Sequence, residues 1–218
     1  MFRAIAKEAP KAALMQAHGM SAPECLYLTG KRLDPATYRC LKDKTQRPVI
    51  YHWCQTETGW PIASIPLGTM GQATKSGYAG FSITGYKVEI SDGQGKALAA
   101  SHQGSAAIKL PLPPGCLSTL WQNLACFKAG YLTVKPGYYV IGDGGYIDDE
   151  GYLFVMGRTD DVINVAGHPP STGKMAEILV YHPAVAECAV FVIHNELKGQ
   201  KPLGLVVLKT GLAKHRKP

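Results

Sequence analysis

The sequence predicts a mixed α/β fold, and three observations support that class. Two short apolar runs, 25–29 and 49–53, lie on either side of a segment that Asp34 opens as a helix N-cap, so we expect a strand, a helix and a second strand. The region 71–128 combines strand-like alternation with Gly- and Pro-rich turns. Further along, a helical segment at 173–182 is followed by two strand-like runs. We therefore expect an α/β part, a β-rich middle and a small α+β C-terminal piece.

Composition limits the class of protein and of ligand. The chain has 218 residues, 46% of them apolar, and a mean hydropathy of −0.04, which is typical of a soluble chain with a sizeable core. The net charge of +7 would suit an anionic ligand such as a polyphosphate or CoA, or nonspecific nucleic-acid binding. Composition alone favours a solvated basic surface. No stretch is long and apolar enough to span a bilayer, so we expect no membrane partner. Because composition favours a solvated basic surface, we expect no nucleic-acid partner either.

Cysteine usage indicates a reducing compartment. The six cysteines occur singly, without a CxxC pair or a Cys/His pair at zinc spacing, so neither a disulfide framework nor a structural metal is indicated. They are Cys25, Cys40, Cys54, Cys116, Cys126 and Cys188. The basic, Ala-rich N-terminus would suit a transit peptide, but Glu8 and the lack of serine count against one. We expect a cytoplasmic chain, or a mitochondrial matrix location for a longer eukaryotic form.

The segment 142–172 carries the most informative chemistry. An apolar strand at 138–141 runs into a glycine-rich turn, which predicts that Asp143 lies at a strand end. A hairpin turn at 148–151 and a return strand would bring Arg158 to the same edge. A carboxylate accepts hydrogen bonds from two vicinal hydroxyls, and a guanidinium adds bonds to sugar or phosphate oxygens. The pair therefore favours a nucleotide ribose as ligand.

A second block, YHWCQTETG at 51–59, combines hydroxyls with a carboxylate. It lies at the end of a buried strand, where α/β sheets place ligands, and Thr56 and Glu57 suit a phosphate and its magnesium ion. The alternative is that Trp53 and Cys54 are ordinary core residues. The residues alone favour the core interpretation.

The two blocks together resemble one family. GDGGYIDDEGYLFVMGRTDDVINVAGH, at 142–168, is similar to the segment that joins the two domains of adenylate-forming (AMP-binding) enzymes, specifically the short-chain acyl-CoA synthetases that act on acetate and propionate. The second block resembles their WQTETG motif. The resemblance implies that residues 1–159 are the C-terminal portion of the large domain and that 160–218 begin the small C-terminal domain. It also implies ATP and AMP, Mg²⁺ and CoA as ligands and a short-chain carboxylate as substrate.

The resemblance assigns roles to the second block. Thr56 would contact the α-phosphate, Glu57 would hold Mg²⁺, and Gln55 would join Asp143 and Arg158 in binding the nucleotide. Cys54 stands where acetate-specific members usually have tryptophan, in the acyl pocket. Because cysteine is much smaller, we expect propionate or a larger acid to be accepted more readily than acetate.

Three further positions follow from the same resemblance. Gly30, Lys31 and Arg32 correspond to the loop against the adenine, although Lys31 replaces the family's glutamate; the alternative is that Lys31 and Arg32 are simply solvated. Asp160 corresponds to the hinge on which the small domain swings, and a polar turn is the alternative. Gly167 would let the pantetheine arm of CoA pass close to the backbone.

The sequence also departs from the family. Pro169 replaces an arginine and Ala176 replaces a glutamate. No TSGTTGxPKG-like phosphate loop occurs in the sequence, and the C-terminal lysine loop is also missing. These loops supply much of the charge stabilisation of adenylation. We therefore expect a partial synthetase chain that is not competent alone, with a nucleotide-binding pseudoenzyme or one half of a split synthetase, completed by an N-terminal half, as alternatives.

Overall fold

The computed structural model describes residues 13–18, 22–30, 35–71, 73–159, 172–195 and 199–209. The described residues fall into two compact units. The larger unit is drawn from 24–35 and 47–160, and the other from 1–23, 36–46 and 161–218.

The larger unit begins with a parallel strand pair. Strand β1 (Leu26–Leu28) pairs with β2 (Val49–Tyr51), with Leu26 opposite Val49. Within the described ranges, α1 (Ala13–His18) and α2 (Pro35–Thr45) precede β2 in the chain, and both are counted almost entirely with the other unit. Parallel neighbours require a crossover connection, and the apolar β2 is buried at each of its three residues. The predicted α/β part is confirmed.

The middle of the chain forms two antiparallel sheets. The smaller contains β3 (Ala63–Ser64) and β4 (Phe81–Ser82), and the larger has the order β5-β6-β7-β8. The four strands of the larger sheet are β5 (Val88–Ser91), β6 (Gly104–Lys109), β7 (Tyr138–Ile147) and β8 (Leu153–Arg158). Helix α3 (Leu67–Met70) lies between β3 and β4, and helix α4 (Leu124–Phe127) and a π-helical turn (Lys128–Leu132) lie between β6 and β7.

Burial alternates along β7. Tyr139, Ile141 and Asp143 are buried, whereas their neighbours are partly exposed. A strand with a period of two therefore places a carboxylate on the same buried face as a tyrosine and an isoleucine. This face provides the framework for the candidate site.

The structure corrects the expected position of Asp143. Strand β7 does not stop at Ile141, and Asp143 lies inside it, because β6 and β8 pair with it on both sides. The pairing of β6 with β7 is nevertheless irregular next to Asp143. Ala106 lies opposite Asp143, but the next residue of β6 pairs with Val140, so β7 carries an extra pair of residues in a bulge. Gly142 in this bulge has φ +70°, a backbone conformation that favours glycine.

Helix α4 is short and has a defined start. It begins only at Leu124, because Gln122 has φ +52° and Asn123 caps the helix by accepting a hydrogen bond of 3.0 Å from the Cys126 N–H.

The other unit contains a helix followed by a hairpin. Helix α5 (Thr172–Val180) precedes β9 (Val185–Asn195), which pairs antiparallel with β10 (Gly199–Leu208). Cys188 of β9 donates its S–H to the Ala176 carbonyl oxygen at 3.0 Å, which places the helix against the sheet. The predicted small α+β piece is confirmed, whereas part of its turn, 196–198, lies outside the described residues.

Asp148 organises the turn between β7 and β8. Its Oδ1 accepts from the backbone N–H groups of Glu150 at 3.1 Å and Tyr152 at 2.9 Å, and Lys75 Nζ donates to Oδ2 at 2.5 Å. Burial raises the pKa of this carboxyl group, but the bonds from Lys75 and Tyr152 outweigh burial, so the net pKa lies below its ordinary value.

We expect the stabilising effect of Asp148 to disappear in acid. A group with a lowered pKa in the folded state stabilises above its unfolded pKa, and this contribution is lost as the pH falls through the folded pKa. The Asp148→Asn variant should be about 1–2 kcal/mol less stable than the parent at pH 7, a difference that shrinks as the pH falls below about 4. Urea unfolding between pH 7 and pH 2.5 measures it. Asp149→Asn, at the exposed neighbouring position, is the control. A difference that is independent of pH would contradict this account of Asp148.

Candidate functional site

Asp143 is the centre of the candidate site. Its side chain is buried, and its Oδ2 accepts hydrogen bonds from Trp53 Nε1 at 3.1 Å and from Gln55 Nε2 at 2.8 Å. The donors follow β2, whereas the acceptor lies on β7. The two sequence blocks, separated by about ninety residues, therefore meet at one carboxylate.

The bulge in β7 lets two side chains converge on one carbonyl group. Gln55 Nε2 donates to the Ile141 carbonyl oxygen at 2.8 Å, and Arg158 Nη1 donates to the same oxygen at 2.7 Å. Arg158 Nη1 also lies 4.0 Å from Asp143 Oδ1. A Cβ atom at Gly142 would come within 2.5 Å of Arg158 Nη2. Glycine at this position therefore leaves the space that the guanidinium occupies.

The turn after Gln55 presents Thr56 and Glu57. It is a single 3₁₀ turn (Thr56–Thr58), and the buried Thr58 holds it, because its Oγ1 donates to the Gln55 carbonyl oxygen at 2.9 Å and accepts from the Gln55 N–H at 3.2 Å. Gly59 ends the turn with φ +63°. Thr56 is exposed and Glu57 is half-buried, so both side chains reach the surface.

Glu57 has a partner from elsewhere in the chain. Tyr131 donates its hydroxyl to Glu57 Oε1 at 3.1 Å. Burial, and then the bond to Glu57, raise the pKa of the Tyr131 phenol, so the hydroxyl stays protonated and remains a donor at neutral pH.

Cys54 lies beside the end of β1. Its Sγ is 2.8 Å from Thr29 Oγ1. Gly30, which follows Thr29, has φ +90° and open space where a Cβ would stand. Cys54 and Gly30 are therefore close to the same edge of the parallel pair. Of the other predicted residues, Lys31, Arg32, Asp160 and Gly167 lie outside the described residues.

The structure thus brings three predicted residues together: Gln55, Asp143 and Arg158. Thr56, Glu57 and Cys54 adjoin them in sequence. Two residues of the site, Trp53 and Tyr131, were not predicted from the sequence, which is compatible with Trp53 as an ordinary core residue. A buried indole N–H requires an acceptor, and this was the available signal for Trp53. The bond of Tyr131 spans 74 residues and has no local pattern.

Glu57 fits a magnesium ion that comes with its nucleotide. No group of three or more His, Cys, Asp or Glu side chains converges within the part of the chain that the structure describes. Mg²⁺ is often held by one or two carboxylates together with waters and substrate phosphates. A single half-buried carboxylate beside an exposed hydroxyl matches that donor set better than an all-protein site.

Comparisons with known proteins identify related chains. The profile of the AMP-binding enzyme C-terminal domain matches residues 174–217. Human mitochondrial acyl-CoA synthetase short-chain family member 3 is 45% identical over 208 residues, which are 95% of this chain and 30% of the relative. The propionate–CoA ligase of Escherichia coli is 38% identical over 208 residues, 94% of this chain and 33% of the relative. The chain thus spans about a third of the length of these relatives.

A solved structure has the same fold. A crystal structure of an anthranilate CoA ligase with bound anthranoyl-AMP matches 93% of this chain and 37% of its own with a TM-score of 0.79 and 24% identity.

None of the helices in the described ranges combines the length and the hydropathy that crossing a membrane requires.

Proposed function

We infer that this chain, which belongs to the adenylate-forming enzymes as a relative of the short-chain acyl-CoA synthetases, carries part of their adenylation site. The proposed reaction joins a short-chain carboxylate to ATP, which gives an acyl-adenylate and pyrophosphate, and CoA then displaces AMP to form the thioester. The observation that carries the proposal is the convergence of Trp53 and Gln55 on the buried Asp143.

Asp143 is the proposed ribose ligand. Both of its short hydrogen bonds fall on Oδ2. An ionised carboxylate has about four acceptor positions, so Oδ1 retains capacity for sugar hydroxyls. Because Trp53 and Gln55 hold the side chain in one orientation, the nucleotide would bind a preorganised acceptor. Arg158, 4.0 Å from Oδ1, would add a donor for sugar or phosphate oxygens.

Thr56 and Glu57 are the proposed phosphate and metal contacts. The turn exposes the Thr56 hydroxyl to an α-phosphate, and Glu57 would hold Mg²⁺ together with the phosphate oxygens. When bound, the metal neutralises charge that develops on the phosphates. In the chain itself, Thr58 fixes the turn that presents both side chains.

The remaining roles rest on the resemblance. Gly30, Lys31 and Arg32 would face the adenine, Asp160 would be the hinge, and Gly167 would lie beside CoA. The chain would act in an aqueous compartment, the cytoplasm or the mitochondrial matrix.

Cys54 is the proposed floor of the acyl pocket. Its thiol bonds to Thr29 at the end of β1, which fixes a small side chain where tryptophan would fill more space. The proposed substrate is therefore propionate or a larger short-chain acid in preference to acetate. One methylene in an apolar pocket changes affinity by roughly tenfold or more.

A ligand series tests the proposal on the parent chain. AMP should bind by calorimetry, and 2′,3′-dideoxy-AMP should bind about 100-fold more weakly, because two hydrogen bonds to a charged acceptor are lost. A propionyl adenylate analogue, such as the acyl sulfamoyl adenosine, should bind more tightly than its acetyl counterpart. Equal binding of AMP and its dideoxy form would remove the ribose assignment, and tighter acetyl binding would remove the acyl one. Binding without turnover is the outcome expected for a pseudoenzyme or for one half of a split synthetase.

A further inference from the structure

The carboxylate of Glu57 is connected to a distant part of the chain. The Glu57 backbone carbonyl oxygen accepts from the Leu117 N–H at 2.6 Å, and its side-chain Oε1 accepts from the Tyr131 hydroxyl at 3.1 Å. The turn itself fixes the backbone of Glu57 but leaves its side-chain torsions free. The bond from Tyr131 is therefore the contact that selects a rotamer of this side chain.

The ring of Tyr131 is itself held in place. It stacks on Tyr139 with ring centroids 5.0 Å apart and an interplanar angle of 10°. Its centroid also lies 5.5 Å from the centroid of the Phe127 ring. Tyr139 is completely buried in β7 and lies two residues before Ile141. The carbonyl oxygen of Ile141 accepts the hydrogen bonds from Gln55 and Arg158. One strand thus supports both the carboxylate proposed for the ribose and, through two stacked rings, the carboxylate proposed for the metal.

We propose that Tyr131 is a positioning residue that fixes the Glu57 carboxylate for magnesium–nucleotide binding, an inference that rests on the function proposed above. The bond occupies Oε1 and leaves Oε2 for the cation and its phosphate ligands. Residues that orient a metal ligand typically change metal affinity by 10- to 100-fold when they are removed. Tyr131 touches neither the metal nor the nucleotide in this account, so it acts only through Glu57.

The Tyr131→Phe variant tests the proposal, because it keeps both ring contacts and removes only the hydroxyl. AMP binding without Mg²⁺ should stay within twofold of the parent, whereas the increase in ATP affinity on adding MgCl₂ should fall by about tenfold or more. Tyr146→Phe is the matched control. It removes a tyrosine hydroxyl from β7, the strand that carries Tyr139, where that hydroxyl bonds Tyr78 at 3.1 Å, and it should leave both affinities unchanged.

A double-mutant cycle separates positioning from a general structural effect. In a Glu57→Gln background, Tyr131→Phe should cause no further loss of the Mg²⁺-dependent affinity, because the group that it positions is already gone. Additive losses, or an equal loss in Tyr146→Phe, would overturn the proposal. Thermal unfolding and circular dichroism establish that each variant is folded before it is titrated.

A second readout needs no nucleotide. With ¹³C-labelled tyrosine at pH 7, the Tyr131 resonance is assigned by its absence in Tyr131→Phe, and Glu57→Gln should shift that resonance because the hydroxyl loses its charged acceptor. An identical Tyr131 resonance in parent and Glu57→Gln would show that the contact is absent and would overturn the proposal directly. If the parent binds no adenine nucleotide, the proposed function itself fails. If it binds AMP but Tyr131→Phe retains the full Mg²⁺ effect, only the positioning role fails.

Discussion

Replacing Asp143 with alanine is expected to weaken AMP binding by about 100-fold or more, because a charged acceptor for two ribose hydroxyls is lost. The same change leaves the Trp53 indole N–H without its acceptor in a buried position, so the free energy of unfolding should fall by about 2 kcal/mol. Gln55 is affected less, since its side-chain amide also donates to the Ile141 carbonyl oxygen. Calorimetric titration and urea unfolding measure the two effects separately.

Asp149→Ala is the control for this prediction, since Asp149 is an exposed carboxylate in the turn between β7 and β8. It should bind AMP like the parent. In Asp143→Ala, AMP and 2′,3′-dideoxy-AMP should bind equally weakly, because the group that distinguishes them has been removed. A folded Asp143→Ala protein that still prefers AMP would place the ribose elsewhere.

Replacing Gly145 with alanine is expected to destabilise the protein by about 3 kcal/mol, since an added Cβ would overpack a backbone contact. This Cβ would lie 2.3 Å from the Phe154 carbonyl oxygen and 3.4 Å from the Val155 Cα atom. These are backbone atoms of β8, which cannot rotate away as a flexible side chain would. The neighbouring register of β7 and β8 places Asp143 opposite Arg158, so the strain arises next to the candidate site.

Gly93→Ala is the matched control, because a Cβ there would have no heavy atom within 4 Å and the residue does not have a positive φ. It should be neutral, or stabilise by up to about 1 kcal/mol through the reduced entropy of the unfolded chain. Urea unfolding of both variants gives the comparison. If the free energy of unfolding of Gly145→Ala falls by less than 1 kcal/mol, β7 and β8 separate easily at this point. That result would contradict the close backbone contact between Gly145 and Phe154.

The strand and helix pattern could be predicted where local chemistry determines it. The apolar runs around β1 and β2 and the turn at Asp148 follow from hydrophobic pattern and turn residues. The bulge at Gly142 could not be predicted, because it depends on pairing with β6 and β8 at once. The glycine-rich run at 142–145 was interpreted as a strand end, whereas pairing on both sides keeps β7 continuous.

The candidate site was only partly predictable for a similar reason. Residue type and order indicated Glu57 in one sequence block and Asp143 and Arg158 in another, since charged groups follow an apolar strand in each. The family resemblance added Gln55. The partners that hold these groups are distant, however. Trp53 reaches Asp143 across 90 residues and Tyr131 reaches Glu57 across 74, and no local periodicity encodes such contacts.

The measurement that tests the central claim most directly is an NMR titration of the tryptophan indole N–H signals with AMP. The chain has three tryptophans: Trp53 is 3% exposed and bonded to Asp143, whereas Trp60 and Trp121 are 66% and 89% exposed. Trp60→Phe and Trp121→Phe assign the signals. If the two sequence blocks form one nucleotide site around Asp143, AMP shifts the Trp53 signal in a saturable way and leaves Trp121 in place. Saturable AMP binding with an unmoved Trp53 signal would contradict that claim.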